Sequence, residues 1–196
     1  MRPVHLPPIE SHTLPNGLRV YTATRSDLPL VSLLLITEAG AHRDPAGKEG
    51  LASLGSTLLL RGSGQGKPGD VSLAIEEVGG RIDAGTDRDR TVVSANALAE
   101  DLPLALELMA EVVTTPRFEP AEVEAAKRRE IAELEQSKDD PSLLARRNLF
   151  ATFLPPDHPY AAPVPGWRRT VAGLDREDLL GFHGTHFSPK TAFLVA

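Results

Sequence analysis

Arg81-Ile82-Asp83-Ala84-Gly85-Thr86-Asp87-Arg88-Asp89-Arg90-Thr91-Val92-Val93-Ser94-Ala95-Asn96-Ala97-Leu98 lies near the middle of the chain, and its reading decides the class of fold. The charged tip Asp87-Arg88-Asp89-Arg90 separates two short runs, and the threonine and valine of the second suit a pleated surface, so the stretch predicts two neighbouring strands. Upstream, Asp70 is expected to cap a helix over Val71 to Val78 that Gly79-Gly80 closes. Glu49 to Leu60 carries Leu51, Leu54 and Leu58 at helical spacing and predicts a short, mostly buried helix, stopped by the glycines of Arg61 to Gly69. Val31 to Ile36 is leucine-rich and β-branched, which predicts a central strand buried on both faces. Ile9 to Leu14 and Leu18 to Thr24 flank Pro15-Asn16-Gly17, a hairpin signal because Asn and Gly tolerate positive φ. Downstream, Leu102 to Val113 predicts a helix with Pro103 in its first turn. Pro120 opens another that runs to about Lys138, Asp140-Pro141 starts a third over Ser142 to Thr152, and Asp175 caps a last one through His183. Thr191 to Ala196 reads as a final apolar strand. Strands and helices do not alternate as βαβα, and the class is α+β.

The chain has 196 residues, which suits one domain with one core. It stops on a strand without a polar tail, so residues 1–196 are expected to be a single domain from a longer two-domain chain. Net charge is -6, with 21 basic against 27 acidic residues, and the cationic surface that neutralises phosphates is missing, which argues against nucleic acid. Cysteine is absent, which removes disulfides, thiolate catalysis and cysteine zinc sites together. No apolar run approaches the ~20 residues of a membrane span, and no signal peptide is visible. The expectation is a soluble chain, cytoplasmic or, if a signal was removed, periplasmic.

Any metal site must use His, Asp or Glu. The histidines are His5, His12, His42, His158, His183 and His186. His183-x-x-His186 puts two imidazoles near a helix end but has no third ligand in sequence reach, so no metal is assigned there. Gly62-Ser63-Gly64-Gln65-Gly66 follows a helix and lacks the Lys-Ser/Thr ending of a phosphate loop, and it reads as a plain loop. No Gly-x-Ser-x-Gly elbow is present. Two helix faces stand out. Ser53, Ser56 and Thr57 share one face of the Glu49 to Leu60 helix, and Ala126, Glu130, Glu133 and Ser137 share one on the Pro120 to Lys138 helix. Taken alone, these are close-packing hydroxyls and a solvated charged surface.

A family resemblance gives the faces meaning. Leu14-Pro15-Asn16-Gly17-Leu18-Arg19-Val20, Ala39-Gly40-Ala41, Gly50-Leu51-Ala52 and Leu60-Arg61-Gly62-Ser63 resemble the opening of the pitrilysin/insulinase family of zinc peptidases. Gly79-Gly80-Arg81-Ile82-Asp83-Ala84-Gly85-Thr86 with Thr91, Asp139-Asp140-Pro141, His158-Pro159-Tyr160 through Gly166, and Ser188-Pro189-Lys190 follow in the family's order. The resemblance covers residues 9 to 196. It implies a largely antiparallel mixed sheet with helices packed mainly on one face.

The departures from the family decide the expected function. Where active members carry an inverted His-x-x-Glu-His motif, this chain has Ser53, Ser56 and Thr57; the supporting acidic position falls on Ala126, and only the distal ligand position, Glu133, keeps its carboxylate. A catalytic zinc needs about three protein ligands and an open water position, and hydroxyls that stay protonated near neutral pH replace imidazole poorly. Ser56 has no basicity to take the proton a glutamate base removes, a step worth about 10²- to 10⁴-fold. The resemblance therefore implies a noncatalytic domain with no cofactor of its own, zinc being expected only in an active homologous partner subunit or half. It also implies a substrate-binding edge over Ile82, Asp83, Ala84, Gly85 and Thr86, where an extended peptide adds as a strand through backbone hydrogen bonds. Two rivals stand beside this reading. One is a metallopeptidase with a relocated site using Glu133, Glu130 and a histidine such as His42. The other is a structural core-type subunit of a larger complex.

Overall fold

The computed structural model describes residues 7–25, 27–64, 66–67 and 69–196, and at 143, 146 and 147 it gives the helical backbone. His5 and Gln65 lie outside the described residues.

The Asn-Gly turn joins β1 (Glu10–Thr13) to β2 (Arg19–Thr22) as an antiparallel hairpin, with Leu14 N–H donating to Leu18 O at 2.8 Å. β3 (Leu30–Thr37) leads through a loop into α1 (Leu51–Leu59) and then α2 (Asp70–Glu77). β4 (Arg81–Thr86) and β5 (Thr91–Leu98) are the two strands of the central stretch, closed around the charged tip by Asp87 N–H donating to Arg90 O at 2.9 Å. Next come α3 (Leu102–Thr114), α4 (Pro120–Gln136), α5 (Pro141–Phe153), α6 (Arg168–Gly173) and α7 (Arg176–His186), before β6 (Ala192–Val195). The strands form one six-stranded sheet in the order β1-β2-β6-β3-β5-β4. Among the described residues only β2 and β6 run parallel.

Alternation along β5 shows how the sheet is dressed. Thr91, Val93, Ala95 and Ala97 are buried, while Val92, Ser94, Asn96 and Leu98 are not. The buried set faces a core that gathers Leu51, Leu54, Leu58 and Leu59 of α1, Ile75 of α2, Val112 of α3 and Leu179 of α7. Burying a leucine side chain stabilises the fold by about 1.5–3 kcal/mol, so α1, apolar on most of its surface, is held by its neighbours and not by propensity. Because the helices crowd one face, the expectation that β3 is buried on both faces fails: Leu30 is 61% and Leu34 38% exposed on the other face. β3 is interior to the sheet, as expected, between β6 and β5.

The helix ends correct one further expectation. Asp70 is the first residue of α2, after Gly69 at φ 93°, and its carboxylate turns back to accept from Lys67 N–H at 2.6 Å. Asp140 accepts from Ser142 N–H at 2.8 Å at the start of α5, and Asp175 forms a capping box with Asp178 on α7, both as the sequence suggests. α7 runs on to His186. Among the described residues no helix is long and apolar enough to cross a membrane.

Candidate functional site

α1 lies against β4, α4 and α7. Its start is held from a distance. The Asp44 carboxylate accepts the N–H groups of Gly50 and Ala52, both at 2.8 Å, supplying the cap that Gly50, at φ 101°, lacks. Burial pushes the Asp44 carboxyl up to about 7, against the pull of those N–H donors.

Ser56 is buried, Ser53 is half-buried and Thr57 is exposed. Ser56 Oγ donates to Ser53 O at 2.9 Å, and Thr57 Oγ1 donates to the same carbonyl at 3.2 Å. Both protons are thus committed to the helix backbone, the usual way for Ser and Thr to sit within a helix. On α4, Ala126 is buried, Glu130 is half-buried and Glu133 is exposed. The Glu130 carboxyl is raised first by burial and then by the nearby Glu133. Two protonated hydroxyls turned to a carbonyl, the further serine Ser53 and one exposed carboxylate do not make a zinc donor set, so the residues present do not fit that ion. Nor do the residues of a relocated site converge. His42 Nδ1 is within 2.8 Å of Arg88 O at the β4–β5 tip, and among the described residues no three His, Asp or Glu side chains are grouped to hold a metal.

The expected edge residues Ile82, Asp83, Ala84, Gly85 and Thr86 all fall in β4, the terminal strand of the sheet. In an antiparallel ladder, hydrogen-bonded and open pairs alternate. Counting from the bonded Asp87–Arg90 closure makes Gly85–Val92, Asp83–Ser94 and Arg81–Asn96 bonded pairs. The backbone groups of Ile82, Ala84 and Thr86 then point away from the sheet, in phase with Gly80, whose N–H is directed outward to Ile75 O at 2.9 Å. The far end of the strand is pinned from inside: Thr91 Oγ1 donates to Ala39 O at 2.8 Å and lies 2.7 Å from Thr86 Oγ1.

Along this edge runs a groove of about 730 Å³, walled by Gly80 and β4 from Arg81 to Ala84, the end of α1 at Thr57, Leu60 and Arg61, and α2 at Ser72, Leu73 and Glu76. Arg61, Leu73 and Glu76 were not legible as site residues. Leu73 carries a usable signal: it falls out of phase with the buried Val71 and Ile75, and is 60% exposed.

The remaining candidates are structural. His183 Nε2 is 2.8 Å from Val113 O with its ring stacked on Phe187, and His186 packs on Phe182. Burial lowers both imidazoles. The glycine loop is tied to α3 and the segment after it: Ser63 Oγ donates to Glu111 Oε1 at 2.8 Å and Arg117 N–H to Gly62 O at 3.1 Å, which leaves little of a phosphate cradle.

Comparison with known proteins bears on this geometry. A family model described as Insulinase (Peptidase family M16) matches residues 19–159. A Mycobacterium bovis protein named as an uncharacterized zinc protease is 31% identical over 184 residues, which is 94% of this chain and 42% of that one. The beta subunit of mouse mitochondrial-processing peptidase is 25% identical over 98% of this chain and 39% of its own. The crystal structure of a peptidase M16 inactive domain from Pseudomonas fluorescens superposes with a TM-score of 0.90 at 26% identity, covering 96% of this chain and 46% of that one. The chain thus spans less than half the length of the relatives it matches.

Proposed function

Because the chain belongs to the insulinase family of peptidases, family M16, we propose that it is a noncatalytic domain of a longer two-domain chain, pairing with an active homologous subunit or half to enclose and bind peptide substrate. The observation that carries this reading is the hydroxyl face of α1. Ser53, Ser56 and Thr57 stand where the family's zinc motif is expected, and the hydroxyls of the last two are spent on Ser53 O. Zinc and the general base belong to the active partner. What this chain brings is the α1–α4 wall and the β4 edge, whose outward backbone groups suit strand addition without any demand on peptide sequence. The similarity to a structure titled as an inactive M16 domain supports the same reading.

The test is zinc stoichiometry after dialysis of the purified chain against excess zinc and removal of free ion. Near-zero zinc is expected. About one tightly held zinc per chain overturns the reading and makes Glu133→Gln the first variant to make. Pairing is read separately, as co-purification with an active zinc peptidase subunit. Retention of redox proteins in its place favours a structural core subunit.

A further inference from the structure

The groove of about 730 Å³ beside β4 has walls that differ chemically. The apolar floor is made by Leu60, which is half-buried, and Leu73, which is 60% exposed on α2. Four charged side chains line the rest: Arg61, Glu76, Arg81 and Asp83. They are not equivalent. Arg81 donates from its guanidinium to both oxygens of Asp83, with Nη2 at 3.0 Å from Oδ1, and Glu76 on α2 acts on the same guanidinium. The Arg81 guanidinium is therefore taken by Asp83 on its own strand. Arg61, exposed where α1 runs out, has no carboxylate partner among the described residues. A guanidinium presents its donors in a planar fork that matches a carboxylate two bonds at a time, so an unpaired arginine on a peptide groove discriminates by charge.

Resting on the reading of β4 as a peptide-binding edge, we propose that this groove selects extended peptides with an acidic side chain, and that Arg61 is the specificity-determining residue. The peptide backbone pairs with Ile82 and Ala84, apolar side chains lie on Leu60 and Leu73, and the carboxylate reaches Arg61. Basic side chains are disfavoured by the same guanidinium.

The experiment uses fluorescein-labelled octapeptides of an alternating Val-Ser host in which a single Asp, or a single Lys, is moved through every position, with binding to the full chain read by fluorescence polarisation. At the best position the Asp peptide is expected to bind at least about fivefold tighter than its Lys counterpart. Arg61→Ala levels the two and Arg61→Glu reverses them. A stabilising role for Arg61 at the end of α1 moves the melting temperature of Arg61→Ala but not the Asp/Lys ratio. Equal binding of Asp and Lys peptides at every position, or an order unchanged in Arg61→Glu, overturns the proposal while leaving edge binding intact. Loss of discrimination is distinguished from failure of the edge itself by N-methylating alternate amides of the best peptide. If methylated peptide still binds and Arg61→Glu still reverses the order, strand addition on β4 is wrong and selection by Arg61 stands. If no octapeptide binds, both fall.

Discussion

Asp44 sits at a contest between two effects of opposite sign, and a titration of stability decides it. Its two short bonds from Gly50 and Ala52 favour the carboxylate, while burial favours the acid. Burial wins, with the carboxyl raised from 3.8 to about 7. The folded state therefore binds more protons than the unfolded chain between those limits. The contribution to stability is fully present below pH 3.8 and is lost as pH rises toward 7, with a slope of at most about 1.4 kcal/mol per pH unit. Across the window this is on the order of 4 kcal/mol at most, comparable to a large part of a domain's net stability of about 5–15 kcal/mol. Asp44→Asn keeps the size and one acceptor oxygen but does not titrate. Urea unfolding of both proteins at half-unit steps from pH 4 to 8 isolates the effect, because Glu130, His183 and His186 titrate equally in the two. The wild-type stability minus that of Asp44→Asn is expected to fall steadily to about pH 7 and then level. A flat difference, or one that rises with pH, refutes the reasoning and shows that the N–H donors match or outweigh burial.

Other outcomes follow from single contacts. Thr91→Val removes the hydroxyl that serves Ala39 O and sits against Thr86, and is expected to cost about 1–3 kcal/mol in urea unfolding without altering the far-ultraviolet circular dichroism. Gly166→Ala puts a Cβ 2.0 Å from Glu49 O at φ 73°, so the loop against the start of α1 must shift; a loss of at least about 2 kcal/mol is expected by the same assay. The His183 imidazole, lowered by burial, titrates below 6.5; stability from it is complete above that value and is lost as pH falls through the folded pKa, which a side-chain NMR titration locates.

Much of the fold was legible because local chemistry and tertiary demand agree. The Asn16-Gly17 turn, the proline starts of α4 and α5, and the Asp175 cap each act within a few residues, and each is found where the pattern places it. What failed was tertiary. An apolar run such as Leu33-Leu34-Leu35 reads the same whether one face or two are covered, and only the placement of the helices exposes Leu34. Asp70 carries a capping residue's chemistry yet serves the preceding turn at Lys67. α6 is six residues long and tied to the chain before α1, where Thr170 Oγ1 donates to Glu49 O at 2.7 Å, a contact no local pattern encodes. In the site, Ser53, Ser56, Thr57 and Glu133 were marked by spacing and resemblance, whereas Asp44 acts through folding that brings the start of α1 to it, and Arg61 lines the groove only once α2 and β4 are in place.

The position of β6 has a consequence for how the molecule is made. The β1–β2 hairpin joins the rest of the sheet through β6, which runs parallel to β2 on one side and antiparallel to β3 on the other. Ala23 N–H and Ala196 O are bonded at 2.9 Å across more than 170 residues of intervening chain. During synthesis the hairpin therefore waits, its inner edge unpaired, until β6 leaves the ribosome. Long-range closure of this kind is slow, because the entropy of joining distant segments is lost before the contacts repay it. A nascent chain halted before Ala192 holds β3, β5 and β4 as one ladder and β1–β2 as another, each with an exposed edge of the kind that invites aggregation.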